Sequence, residues 1–148
     1  MVKIISFSRL TLFSILFILF ATAGFTQGIL QNPKPTNNAL TAVYYLDSNT
    51  GFMAGELGTI LKTSDGGINW KNLKSGTTQC INSIYFLNST QGFAVGNYGT
   101  ILKTTDGGIN WKILESETLA DLNTVYFLDQ NSGYIGGDDG LLKTTDGG

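Results

Sequence analysis

A ten-residue phrase recurs along this 148-residue chain, and it limits the possible folds more than any other feature. Leu61–Trp70 reads Leu-Lys-Thr-Ser-Asp-Gly-Gly-Ile-Asn-Trp, Leu102–Trp111 repeats it with one change, and Leu142–Gly148 holds its first seven residues. The aspartates of the three copies stand 41 and 40 positions apart. A fixed period of this length indicates an array of similar structural units.

Each repeat predicts four short strands separated by glycine-containing turns. Helices are disfavoured, because glycine recurs within every copy and costs about 1 kcal/mol at each helical position. The strand-like segments are rich in β-branched and aromatic residues. In the second copy they are Ile81–Leu87, Phe93–Gly96, Thr100–Thr104 and Ile109–Leu114.

Four antiparallel strands in a repeat of this length are typical of one β-propeller blade, whereas a β-sandwich has no reason to repeat its sequence evenly. The sequence therefore predicts an all-β fold of propeller blades. The predicted blades are residues 40–80 and 81–121, which are complete, and residues 122–148, which are truncated. Propellers close with about four to eight blades. We therefore expect residues 40–148 to be part of a longer propeller; assembly of several chains into a ring is the alternative.

The N-terminus has the pattern of a secretory signal peptide. Lys3 and Arg9 precede an apolar run from Leu10 to Phe20, and the small residues of 21–23 follow it. The run is shorter than the roughly 20 residues that span a bilayer. The sequence predicts a cleaved signal at residues 1–23, a lead-in at 24–39, and a secreted, periplasmic or extracellular protein without stable membrane insertion.

The charge of the remaining chain excludes several classes of partner and chemistry. Residues 24–148 contain seven lysines, no arginine and no histidine against eleven Asp and Glu, a net charge of −4. Nucleic acids and anionic membranes need clustered basic residues. The lone Cys80 is expected to be a small buried residue that forms no disulfide. No cofactor and no metal site are predicted.

The repeated phrase resembles the Asp box, or BNR repeat, S/T-x-D-x-G-x-T/S-W. Its Asp is expected to accept backbone hydrogen bonds in a hairpin turn, its Gly to adopt positive φ, and its Trp to pack between sheets. One carboxylate per turn falls far short of the six to eight oxygens that bind calcium. The residues to which we assign this structural role are Thr63, Asp65, Gly67, Trp70, Thr104, Asp106, Gly108, Trp111 and Asp146.

Residues 40–148 resemble a wider family, the photosystem II stability/assembly factor-like propellers. The resemblance rests on Gly92–Gly96, Gly99–Gly108 and the strand Ile84–Leu87. It implies a secreted or lumenal seven-bladed propeller without catalysis that acts as an assembly chaperone in photosynthetic organisms; many other relatives are secreted bacterial proteins. Photosynthetic members are expected to use an arginine-rich patch, and no arginine follows Arg9 here.

The turn after the second strand of each blade and the connection between blades are expected to share one face. Their residues differ between copies, whereas strand and Asp-box residues are nearly constant, and loops commonly carry function. The candidate binding residues are Glu56, Asn97, Tyr98, Asp138 and Asp139. This acidic face suits a protein partner, or a glycan. We predict a non-catalytic scaffold; the alternative is a sialidase-like glycoside hydrolase or a glycan-binding propeller whose site lies in further blades.

Overall fold

The strands follow the predicted repeat closely. In a computed structural model, residues 34–148 are described; the predicted signal peptide and most of the lead-in lie outside them. The strands of the described residues are β1 Leu40–Tyr45, β2 Gly51–Gly55, β3 Ile60–Thr63, β4 Lys71–Leu73, β5 Ile81–Phe86, β6 Gly92–Gly96, β7 Ile101–Thr104, β8 Lys112–Leu114, β9 Leu122–Phe127, β10 Gly133–Gly137 and β11 Gly140–Thr144.

These strands form three antiparallel sheets in which consecutive strands are neighbours. Strands β1–β4 make the first sheet, β5–β8 the second and β9–β11 the third. The all-β prediction of two four-stranded blades and a shorter third is confirmed. The predicted fourth strand is too long, however, because Ile109–Trp111 belong to the preceding turn and β8 begins only at Lys112. The Asp106 carboxylate, which accepts a hydrogen bond from the Asn110 amide at 2.9 Å, holds the chain in that turn.

A glycine faces an aromatic ring at the same place in every sheet. Gly92 is paired with Phe86 across β5 and β6, and a Cβ at Gly92 would lie 2.6 Å from the Phe86 ring. The ring therefore lies flat over the glycine and reaches the neighbouring sheet, where it stacks on Phe52 with a centroid distance of 4.0 Å. Phe127 repeats the arrangement, stacking on Phe93 at 3.7 Å.

The hydrophobic core lies between successive sheets. One cluster joins the first and second sheets, and the other joins the second and third. The second sheet is covered on both faces, and all five residues of β6 are buried. The members of the first cluster include Phe52, Ala54, Ile60, Ile84, Phe86 and Leu102; those of the second include Phe93, Val95, Ile101, Val125, Phe127 and Ile135.

Hydrogen bonds from one sheet to a backbone carbonyl of the next accompany this packing. The Tyr44 hydroxyl donates to the carbonyl of Phe86 at 2.7 Å, and the Tyr85 hydroxyl to that of Phe127 at 3.0 Å. Two further donors repeat in the same way. The ammonium groups of Lys62 and Lys103 donate to the carbonyls of Gly107 and Gly147. At a second pair of corresponding positions, the Thr41 hydroxyl donates to the Ile81 carbonyl, and the Asn82 side-chain amide donates to the Leu122 carbonyl.

Candidate functional site

The Asp of the repeated phrase is committed to the turn in which it lies. Asp65 accepts hydrogen bonds from the Asn69 amide at 2.9 Å, the Asn69 side chain at 2.8 Å and the Thr63 hydroxyl at 2.8 Å. The Thr63 hydroxyl oxygen in turn accepts from the Gly67 amide at 2.9 Å. We call residues 63–70, 104–111 and 144–148 the DGG turns.

The second DGG turn keeps this network, and the third keeps the hydrogen bonds of its Thr and Asp. Asp106 accepts from the Asn110 amide at 2.9 Å and from its side chain at 2.8 Å, and Asp146 accepts from the Thr144 hydroxyl at 2.7 Å. Hydrogen bonds from Asn110 hold the pKa of Asp106 below its usual value, with the backbone amide as the largest contributor. These carboxylates are stabilised as anions within the turns.

The DGG turns lie beside the turns that follow the first strand of each sheet. The Gly66 amide donates to the Asn49 carbonyl at 2.8 Å, and Gly107 and Gly147 make the corresponding bonds in the next two sheets. We call this edge the DGG rim. It carries none of the five candidate binding residues.

The turns after the second strands lie against the connections between sheets, as the topology predicted. The Glu56 amide donates to the Ala39 carbonyl, Asn97 to Cys80, and Asp138 to Asp121, each at 2.9 Å. We call this edge, formed by residues 56–58, 97–99 and 138–139 and the connections 74–80 and 115–121, the connection rim. All five candidate residues lie on it.

Cys80 shows how acidic the connection rim is. Its side chain is half buried, and it forms no disulfide. Burial raises the pKa of the thiol, and the nearby carboxylates of Glu56 and Asp121 raise it further. Because a thiolate is disfavoured there, Cys80 is a poor nucleophile.

Tyr98 is the one aromatic residue among the five candidates. Its backbone has φ of 53°, the following Gly99 has φ of 65°, and 65% of its surface is exposed. The Thr100 amide closes this two-residue turn on the Asn97 carbonyl at 3.2 Å. A non-glycine residue in this conformation costs about 1–3 kcal/mol, and such positions concentrate at functional sites. Leu57, its counterpart in the first sheet, has φ of 55° and is 68% exposed.

The other four candidates accept hydrogen bonds from the protein itself. Glu56 accepts from the Ala39 amide at 3.4 Å, Asn97 from the Asn82 side chain at 2.7 Å, Asp138 from the Asn123 side chain at 2.8 Å, and Asp139 from the Thr118 hydroxyl at 3.3 Å. No hydrogen bond of the Tyr98 side chain is seen among residues 34–148. Tyr98 is therefore the candidate most available to a partner.

A groove of about 370 Å³ runs beside Tyr98 on the connection rim. Exposed apolar surface is supplied by Ile113 and Leu119, which are 53% and 81% exposed. Glu115 and Glu117 line the same groove and make it negative. The sequence analysis did not select Ile113, because an isoleucine in that segment looks like an ordinary strand residue. The sequence feature that could have identified this position is the difference between Ile113 and its counterpart Asn72 one repeat earlier.

Within 34–148, no group of three His, Cys, Asp or Glu side chains is arranged to hold a metal ion. The same residues contain no helix of the length and apolarity required to cross a membrane.

The comparison with protein families decides the relationship. Residues 69–148 match the family described as photosynthesis system II assembly factor YCF48, over more than half of the chain. The chain belongs to this family. The resemblance predicted from the repeats is thereby confirmed, and no arginine-rich patch accompanies it in the described residues, which contain no arginine.

Three solved structures are similar to the chain. The chain is 25% identical to YCF48 bound to D1 peptide, with a TM-score of 0.68 over 81% of this chain and 43% of that one. It is 20% identical to YCF48 from Cyanidioschyzon merolae, with a TM-score of 0.66 over 75% and 39%. An ancestral GH74 enzyme is 22% identical, with a TM-score of 0.62 over 75% and 18%.

The last two likenesses establish the propeller fold and nothing more. The chain spans 43% and 39% of the two YCF48 chains, so it corresponds to less than half of either. No significant match was found among proteins with curated functions.

Proposed function

We propose that this chain is a non-catalytic scaffold whose connection rim binds an extended, positively charged segment of a partner protein. The observation that carries the proposal is Tyr98, which is 65% exposed at a strained turn beside a groove. Exposed tyrosine supplies a large, rigid contact surface, and interface hot spots are enriched in it. The hydroxyl gives it a polar group as well.

The charge of the groove sets the chemistry of the partner. Glu115 and Glu117 line it, and Asp121 accepts a hydrogen bond from the Tyr98 amide at 3.0 Å. A segment with lysine or arginine beside an apolar residue would complement this surface. Electrostatic complementarity of this kind favours specificity and rapid association.

The family supports a peptide as the class of ligand. One YCF48 relative is known with a D1 peptide bound. We extend only the class of ligand to the present chain. Secretion, indicated by the pattern of residues 1–23, is part of the same proposal.

The carboxyl groups whose pKa is clearly shifted do not include the general acid that a glycoside hydrolase needs. A glycosidase needs one carboxylic acid whose pKa is raised, so that it protonates the leaving group. Among the described residues, every carboxyl with a clearly shifted pKa has it lowered by hydrogen bonds. They are Asp47, Asp65, Asp106, Asp129 and Asp146.

Fluorescence anisotropy with labelled peptides tests the proposal. The first probe is a lysine-rich peptide that contains one phenylalanine, the second its lysine-to-glutamate version, and the third a D1 peptide. We expect the lysine-rich probe to bind, and Tyr98→Ala to weaken it at least about tenfold, as for a hot-spot residue. Asp139→Ala should weaken it less, because that carboxylate lies on a neighbouring turn.

Ile109→Ala is the matched control, because Ile109 is 66% exposed but lies in a DGG turn. The affinity of Ile109→Ala for the lysine-rich probe should stay close to that of the parent. The melting temperatures of both Ile109→Ala and Tyr98→Ala should also stay close to the parent value. Equal binding of the glutamate probe, or unchanged affinity of Tyr98→Ala, would refute the proposal. Hydrolysis of a synthetic glycoside by the chain would favour the enzyme alternative instead.

A further inference from the structure

The connection rim holds a second groove, one repeat before the groove beside Tyr98. It has a volume of about 640 Å³ and lies between the turn that carries Leu57 and the connection 74–80. Thr77 lines both grooves, so the two adjoin. Their lining residues all lie between positions 38 and 119, within the first two sheets and the connections that follow them.

The two grooves are built on the same backbone frame. The Ser75 hydroxyl donates to the Thr77 carbonyl at 3.2 Å, and the corresponding Ser116 hydroxyl donates to the Thr118 carbonyl at 3.0 Å. The amides of Thr77 and Thr118 donate back to these two serine hydroxyls. Side chains at corresponding positions of the repeat are therefore presented in corresponding places.

The side chains on this frame give the two grooves opposite charge. Among the described residues, the charged residue that lines the first groove is Lys74, whereas Glu115 and Glu117 line the second. Lys74 and Glu115 occupy the same position of the repeat. Glu56 lies next to Leu57, but its carboxylate accepts from the Ala39 amide and does not line the first groove. Two further differences between the repeats make the second groove more apolar: Ile113 in place of Asn72, and Leu119 in place of Thr78.

Backbone strain is concentrated in the same two grooves. The non-glycine residues with positive φ in the described chain are Leu57, Tyr98 and Glu117, and all three line a groove. Glu117 has φ of 58°, and its counterpart in the first repeat is Gly76. A glutamate thus stands where the first repeat has the residue that this conformation favours. Strained positions of this kind cluster at functional sites.

We propose that the two grooves bind one extended segment of a partner protein, with a carboxylate near its first end and a lysine beside an apolar residue near its second. The carboxylate lies at Lys74, and the lysine lies at Glu115 and Glu117. This inference rests on the proposed function, which uses only the second groove. The opposite charges also set the direction of the segment, because a reversed segment would bring like charges together.

The spacing between the two charges of the ligand follows from the packing of the sheets. Facing sheets lie about 10 Å apart. An extended chain advances about 3.3 Å per residue, so about three residues separate the carboxylate from the lysine. Leu57 and Tyr98, at corresponding turns, supply an exposed apolar contact in each groove.

Three fluorescein-labelled peptides test the proposal by anisotropy. They are Glu-Ser-Ala-Ser-Lys-Phe, its version with Gln in place of Glu, and Ser-Ala-Ser-Glu-Lys-Phe, in which the two charges are adjacent. At low ionic strength the first should bind about threefold more tightly than the other two, as expected for one exposed ion pair. The difference should disappear at about 1 M salt, which screens charges beyond about 3 Å.

A matched pair of lysine substitutions locates the carboxylate. Lys74→Glu should abolish the advantage of the first peptide, and a fourth peptide with Lys in place of the Glu should bind this variant more tightly than it binds the parent. Lys71→Glu changes the net charge equally, but Lys71 does not line the groove, so the advantage should remain. Tyr98→Ala should weaken all of the peptides and leave the ratio between the first two unchanged.

The outcomes separate this inference from the proposed function. If the Gln peptide binds through Tyr98 and the Glu peptide binds no more tightly, the proposed function stands and the two-groove segment is refuted. Equal effects of Lys74→Glu and Lys71→Glu would also refute it, since net charge alone would explain them. An equal advantage for the peptide with adjacent charges would show that the first groove is not used. If none of the peptides binds, both proposals fail.

Discussion

At the scale of single residues, the DGG-turn aspartates make stability depend on pH. The pKa of Asp106 in the folded chain is lowered, chiefly by the Asn110 amide, below the value of about 3.9 expected when unfolded. A lowered folded pKa gives stability that is present above the unfolded pKa and is lost as pH falls through the folded pKa. Urea midpoints should therefore decline below about pH 4.

Asp106→Asn isolates the contribution of this carboxylate from those of the other turns. The variant should be less stable than the parent at pH 7, and the difference should shrink as the pH falls below about 4. A difference that stayed constant down to pH 2 would show that the charge on Asp106 does not matter.

Two glycines separate backbone strain from close packing. Gly99 has φ of 65°, and a Cβ there would lie 2.0 Å from the Thr118 carbonyl oxygen. Gly76 has φ of 84°, but nothing lies within 4 Å of its would-be Cβ. Gly99→Ala should cost about 3–5 kcal/mol of unfolding free energy, and Gly76→Ala about 1–2 kcal/mol, measured by urea denaturation. Equal losses would mean that φ alone decides.

At the scale of strands and turns, the repeat made most of the fold predictable. The predicted strand Ile81–Leu87 differs from β5 by one residue, because β-branched and aromatic patterns report strands directly. The fourth strand was predicted too long, since the hydrogen bonds that keep Asn110 in the DGG turn are not visible in a strand pattern. Local propensity favoured a strand there, and side-chain capping decided otherwise.

The hydrogen bonds between sheets could not be predicted, since they depend on how two sheets dock. Tyr85→Phe removes the bond from its hydroxyl to the Phe127 carbonyl and should cost about 1 kcal/mol. Tyr126 is the matched control, one repeat later, because it is 55% exposed and its hydroxyl makes no such bond within residues 34–148. Thermal unfolding should show a loss for Tyr85→Phe only. Equal losses for Tyr85→Phe and Tyr126→Phe would indicate that the bond to the Phe127 carbonyl makes no contribution of its own.

The candidate site shows the same division between what sequence reveals and what it hides. Variation between copies led to the connection rim, and topology placed Glu56, Asn97 and Asp138 on it. The sequence does not show that the side chains of Asn97 and Asp138 already accept hydrogen bonds from Asn82 and Asn123. The sequence also does not predict the positive φ of Tyr98, which exposes its side chain. In the Asn-Tyr-Gly turn only the second central residue is a glycine, so the sequence does not determine the backbone conformation of the tyrosine.

At the scale of the whole described chain, the three sheets differ in how much of their surface is covered. The second sheet has a neighbour on each face, whereas Val43 of the first sheet and Leu141 of the third are 62% and 68% exposed. In a repeat array, each unit is stabilised mainly by its interfaces with adjacent units. Stability should therefore be highest in the second sheet.

Native-state hydrogen exchange measures this gradient strand by strand. Amides of β6, whose residues are all buried, should exchange at the rate set by global unfolding. Amides of β11, an edge strand with mostly exposed residues, should exchange fastest among the strands of the described chain. The control is Phe86→Leu, which weakens the stacking on Phe52 and should speed exchange in the first sheet more than in the third. Uniform exchange across all three sheets would instead mean that they unfold as one cooperative unit. In that case no sheet would open at a lower free energy than the others.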